Sequence, residues 1–131
     1  MSFGQREYDR QKPEVEFPGA ETPEDLVIKD LIDGDGREAQ AGDTVSAHYV
    51  GVAFSTGEEF DSSWNRGAPL DFRVGVGQVI QGWDQGIPGM KVGGRRRLEI
   101  PSHLAYGDRG AGSAIAPGES LIFVVDLMGV R

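Results

Sequence analysis

The sequence predicts an α+β fold, a curved antiparallel sheet wrapped on one short helix. Three observations lead there. Several segments alternate apolar and polar residues at the two-residue period of a strand. A single segment carries helical spacing. Glycine fills 20 of 131 positions, which predicts many turns and short elements.

Taken in order, residues 1–24 read as an acidic, Pro-containing arm and residues 25–131 as one domain. Pro13, Pro18 and Pro23 recur among acids, and sparse apolar residues cannot offset the entropy of ordering the arm. Phe3, Tyr8 and Phe17 are its candidates for docking onto the domain. Leu26–Ile32 reads as a strand closed by Asp33-Gly34-Asp35-Gly36, a hairpin turn. Thr44–Phe54 reads as the second strand, with Val45, Ala47 and Tyr49 on one face. Glu58, Glu59 and Asp61 sit around a turn, and Asp61 suits an Asx-type cap there. Leu70, Phe72 and Val74 alternate with Asp71, Arg73 and Gly75, and Leu98 and Ile100 with Arg97 and Glu99. Leu121–Val125 is a continuous apolar run, as in a strand buried on both faces at the sheet centre.

Helical spacing falls on Val79–Ile87, where Ile80, Trp83 and Ile87 stand at i, i+3 and i+7 before Gly86, Pro88 and Gly89 end the pattern. About two turns are too few to be stable alone. This helix must be held by packing, against the concave side of the sheet. Ser102–Ser120 forms a long connection, the kind usually kept for function. Tyr106, Ile115 and Pro117 within it argue against simple disorder.

Composition narrows the chemistry. There is no cysteine, so disulfides, thiolate metal sites and thiol nucleophiles are excluded. His48 and His103 are too few for a histidine-built metal site, and both suit structural or surface roles. No run approaches a membrane span, and MSFGQREYDR lacks the apolar core of a secretory signal. A soluble, cytoplasmic protein is expected. Net charge is 13 − 21 = −8, and residues 1–43 carry 5 − 12 = −7 of it, leaving 8 − 9 = −1 for residues 44–131. Nothing there suits a phosphate backbone. Arg95-Arg96-Arg97 is the one basic cluster and reads as a solvated strand start.

Familiar motifs fail in turn. Gly75-Val76-Gly77 lacks the third glycine and the βαβ unit of a dinucleotide site. In Asp33–Gly36 a calcium loop would make Leu31 a ligand, which a hard cation cannot use. Ser62, His103 and an aspartate could be assembled into a triad only without a G-x-S-x-G elbow.

One constellation remains. His48-Tyr49-Val50-Gly51, Gly57 through Glu59-Phe60-Asp61-Ser62-Ser63, Val79-Ile80-Gln81-Gly82-Trp83, Met90-Lys91-Val92-Gly93-Gly94, Ala105-Tyr106-Gly107 and Leu121-Ile122-Phe123 follow one another in order. Together they resemble the FKBP-type peptidyl-prolyl cis-trans isomerases (rotamases), from residue 25 to 131 and nearly without gaps. The resemblance implies five or six strands around the helix, and an apolar cup that receives a proline ring. Its walls would be Tyr49, Phe60, Leu70, Val79, Ile80, Tyr106, Ile115 and Phe123, with Trp83 as floor and Asp61 on the rim. Asp61, Tyr106 and Phe60 would be catalytic. Leu70 stands where the family commonly has an aromatic, Gln78 where it has an acid, Ala111 where it has a loop histidine, and Ala114 where it has a larger aliphatic.

Such a reaction fits the failed search. Rotation about an X-Pro bond is slow because the amide has partial double-bond character, with a barrier of ~18–20 kcal/mol. No bond breaks, so no nucleophile, metal or cofactor is required. Expected partners are proline-containing peptides and unfolded proteins, with macrolides such as tacrolimus and rapamycin as competitors, and neither nucleic acid nor membrane. A monomeric folding helper with chaperone character is the first expectation. A module that binds proline peptides or macrolides with little turnover is the alternative.

Overall fold

A computed structural model describes residues 11–17 and 21–131. Its six strands are β1 (Val27–Ile32), β2 (Thr44–Ala53), β3 (Glu59–Ser62), β4 (Leu70–Arg73), β5 (Arg95–Ile100) and β6 (Leu121–Val130). Two short helices interrupt them, α1 (Ser63–Arg66) and α2 (Gln81–Gly86). All strands pair antiparallel in one sheet of order β1-β5-β6-β2-β3, with β4 also on β2. The run that begins at Leu121 is central, between β5 and β2, and its first seven residues are buried.

Alternation sorts the apolar residues onto two faces. Val45, Ala47 and Tyr49 of β2, Leu98 and Ile100 of β5, and Leu121, Phe123 and Val125 of β6 form the larger core, against Trp83 of α2 and Ile87, which follows it. Burying a side chain such as Ile87, which is fully enclosed, stabilises by roughly 1.5–3 kcal/mol. Val50, Val52, Phe54 and Ile122 face the other way, where Trp64 of α1 and Val15 of the arm cover them.

The far edge of β2 is shared. β4 pairs with Thr44–Ala47 and β3 with Val50–Val52, which leaves a gap at His48 and Tyr49. Ser63 fills it: its Oγ accepts the Tyr49 N–H at 2.7 Å and lies 2.8 Å from His48 Nδ1. The His48 ring stacks on Trp64 with centroids 4.1 Å apart. Burial lowers the His48 pKa, against the opposing attraction of Asp126.

Several readings need correction. Asp33–Gly36 is no hairpin turn, because β1 pairs with β5 rather than β2. It instead crosses the 91–94 turn so closely that a Cβ on Gly34 would stand 2.4 Å from the Lys91 carbonyl oxygen. Glu59–Ser62 is a strand, not part of a turn. The helix starts at Gln81, with Val79 and Ile80 in the approach to it. The basic cluster is not solvated. Arg95 bonds the fully buried Asp126 at 2.8 Å, Arg96 bonds Asp30 at 2.6 Å, and the mostly buried Arg97 bonds Glu99 at 3.0 Å. Residues 102–120 hold two 3-10 turns, Ser102–Leu104 and Gly107–Arg109. Phe17 lies against Gly57 but stays half exposed; Phe3 and Tyr8 fall outside the described residues.

Candidate active site

One cavity of about 400 Å³ opens at the end of α2, between β2, β3, β4 and the loop that carries Tyr106. Trp83 lies at its base, 4% exposed, because α2 lies directly on β5. Two glycines make that approach possible: a Cβ on Gly82 would meet Ile100 Cγ2 at 2.5 Å, and one on Gly86 would meet Leu98 Cδ2 at 2.8 Å. Three aromatic rings surround the indole. Tyr49 and Phe123 meet it edge-on at 5.0 and 5.1 Å, and Phe72 is tilted at 5.3 Å. Edge-to-face contact suits the aromatic quadrupole. Phe60 stands perpendicular to Phe123 at 5.5 Å, over Gly51. A Cβ on Gly51 would stand 2.6 Å from both Phe60 and Phe123, so both rings need the hydrogen at that position.

The rim is polar at one point. Asp61 Oδ2 accepts the Tyr49 hydroxyl at 2.5 Å, and Oδ1 accepts Arg66 Nη1 at 2.7 Å and the Ser62 N–H at 2.9 Å. Arg66 Nη2 also donates to the Tyr49 hydroxyl at 2.8 Å, closing a ring of three side chains. Burial alone would raise the Asp61 pKa, but donors from Tyr49, Arg66 and Ser62 outweigh it and hold the carboxyl below its ordinary value. Burial, then the bond to Asp61, raises the Tyr49 pKa, so the phenol keeps its proton.

The approach to α2 is fixed from the helix itself. Asp84 accepts the Gly75 N–H at 2.7 Å and the Gly77 N–H at 2.9 Å, both glycines having positive φ. Gln78 turns back to accept the Arg73 N–H at 2.9 Å. Val79 and Ile80 are thereby presented to the cavity. Neither the Ile80 N–H nor the Tyr106 hydroxyl has a hydrogen-bond partner among the described residues.

Of the residues expected to meet a proline ring, the cavity brings together Tyr49, Phe60, Asp61, Leu70, Val79, Ile80, Trp83, Tyr106 and Phe123. Ile115 is not among its walls. It is buried in the main core and bridged to Ala111, with N···O distances of 2.9 and 3.1 Å. Gln78 joins the lining. Arg66 escaped the sequence reading, since an arginine five residues after Asp61 carries no signal until α1 turns it back. Among the described residues no three His, Asp or Glu side chains stand close enough to hold a metal ion.

Comparison with known proteins agrees with this geometry. A family model described as FKBP-type peptidyl-prolyl cis-trans isomerase matches residues 35–128. An FK506-binding protein of Streptomyces anulatus is 74% identical over 121 residues, 92% of this chain and 98% of that protein. The peptidyl-prolyl cis-trans isomerase FPR2 of Saccharomyces cerevisiae is 51% identical over 94 residues, 72% of this chain and 70% of that one. The crystal structure of AtFKBP13 superposes with a TM-score of 0.76 at 48% identity, covering 84% of this chain and 96% of that chain.

Proposed function

This chain belongs to the FKBP-type peptidyl-prolyl cis-trans isomerase family and is an isomerase of that type, and from that premise we propose how it turns the X-Pro bond. The proline ring enters the cavity and packs on Trp83, between Tyr49, Phe60 and Phe123. Water is stripped from the imide. The planar imide is stabilised by resonance and is strongly dipolar, so a dry apolar site disfavours it relative to the twisted form. Only this difference in binding accelerates the step. A ~10⁵-fold gain requires about 7 kcal/mol of it.

Polar groups hold the register. The unpartnered Ile80 N–H and Tyr106 hydroxyl are placed to donate to carbonyls of the bound chain. Asp61 has its oxygens occupied by neighbours, which supports orientation of Tyr49 and the rim rather than proton transfer. The observation that carries this reading is an aromatic cavity whose single ionised lining side chain is already satisfied. Family membership favours turnover over the binding-only alternative. Proline-containing peptides and unfolded proteins are the proposed substrates, and tacrolimus or rapamycin the proposed competitors.

The test is a protease-coupled proline-peptide assay. Phe60→Ala and Asp61→Leu should each lower kcat/KM about tenfold or more while circular dichroism is unchanged, since one tenfold step is ~1.4 kcal/mol. Full activity of Asp61→Leu would refute the orienting role. In a Trp64→Phe background, macrolide binding should change Trp83 fluorescence and abolish turnover.

A further inference from the structure

We propose that the arm belongs to the positioning machinery of the cup, with Lys12 as a positioning residue; this rests on the role given above to Asp61 and Tyr49. Lys12 Nζ lies 2.7 Å from Glu59 Oε1 and donates to Asn65 Oδ1 at 3.0 Å. Asn65 Nδ2 in turn donates to Glu59 Oε2 at 3.0 Å. Each member bonds the other two, so the arm, β3 and α1 are tied in a closed ring.

A second ring, Tyr49–Asp61–Arg66, spans the same two elements. Glu59 and Asp61 come from β3, and Asn65 and Arg66 from α1. Whatever fixes the first ring therefore bears on the second.

These two elements need the help. β3 has four residues at the sheet edge, and its ladder with β2 shifts register between Gly51 and Val52. α1 is a single turn without a side-chain N-cap bond. Elements this short are not held by their own backbone bonds. The arm itself is anchored independently of the ring. Val15 packs on the Val50–Val52–Phe54–Ile122 cluster, and the Gln11 carbonyl accepts Arg95 Nη2 at 3.0 Å.

The experiment uses the full chain, an uncharged proline peptide, and the variants Lys12→Met and Lys12→Arg, each alone and with Tyr49→Phe. Lys12→Met should lower kcat/KM about two- to fivefold, the range of a half-exposed ion pair, and Lys12→Arg should restore most of it. Salt should narrow the gap between the unsubstituted protein and Lys12→Met, because the Lys12–Glu59 pair is partly exposed and is screened. With Tyr49→Phe in place, Lys12→Met should cost nothing further. Unchanged turnover in Lys12→Met, or the same loss persisting with Tyr49→Phe, overturns the proposal. If Tyr49→Phe lowers turnover and Lys12→Met does not, the arm is uncoupled and the cup stands. If Tyr49→Phe alone changes nothing, the reading of the cup fails first and takes this proposal with it.

Discussion

Asp61 is held on the rim of the cavity by hydrogen bonds to Tyr49, Arg66 and Ser62, which fits the orienting role proposed for it. Three donors hold its carboxylate, and their combined effect lowers its pKa despite burial. The sign follows: the folded protein keeps Asp61 ionised at lower pH than the unfolded chain does. Its contribution is present above the ordinary carboxylate range and is lost as pH falls through the lowered folded value. Turnover on an uncharged peptide should thus be flat from about pH 5 to 8, within the range where an ordinary carboxylate of pKa ~3.9 is already ionised. A midpoint inside that range in a stopped-flow pH profile would contradict this. Gly51 shows the opposite kind of demand, for an absence. A methyl group there meets Phe60 and Phe123 at once. Gly51→Ala should push both rings into the cavity and lower kcat/KM about tenfold, at a stability cost near the ~1–3 kcal/mol of core overpacking. Equal activity with a crystal structure showing unmoved rings would count against it. Most of the cup was legible only through the family resemblance, which carried Tyr49, Phe60, Trp83 and Phe123 over position by position, whereas periodicity alone placed Tyr49 on a strand face and Trp83 on a helix face. Arg66 was legible in neither way, since only the turn of α1 brings it to Tyr49.

Among the elements, legibility followed period and length. The strands around Thr44 and Leu121 run ten residues each and declare themselves by alternation or by an unbroken apolar run. β3 did not, because Glu59, Asp61 and Ser62 around a lone Phe60 look like a polar turn, and α1 has only four residues. The pairing of β1 with β5 was equally hidden, as an Asp-Gly pair marks a turn without saying which strand comes next. Arg95 and Arg96 looked solvated because their acceptors, Asp126 and Asp30, are named only by sheet register, whereas Arg97 bonds Glu99 two residues on along the same strand. For α2 the governing fact is its closeness to β5. On helix propensity alone Gly86→Ala would gain roughly 1 kcal/mol. The added Cβ would sit 2.8 Å from Leu98, a fully buried residue with no room to yield. Packing should win: the variant is expected to lose about 1–3 kcal/mol in urea unfolding, with a Trp83 emission shift as the helix lifts. A stabilised variant would mean that Leu98 repacks freely.

Over the whole molecule, the last strand in sequence is the middle strand in space. β6 pairs with β2 along its length and with β5 beside it, so the two halves of the sheet are joined only through β6. The same strand serves both faces: Leu121, Phe123 and Val125 enter the main core, and Ile122 the cluster under Trp64. Neither face can be lost while the other keeps its backbone. Unfolding should therefore be a single cooperative event, as it is for most domains under ~150 residues. The two tryptophans report this separately, Trp83 from the cup and Trp64 from its stack on His48. In Trp83→Phe, the remaining Trp64 fluorescence and far-ultraviolet circular dichroism should give one urea midpoint and one slope, of order 1–3 kcal/mol/M. An earlier Trp64 transition would show that α1 and the arm-covered face open first. In that case the ties through Lys12, Glu59 and Asn65 would govern a local equilibrium, and the cup would lose its support from behind before the sheet itself gave way.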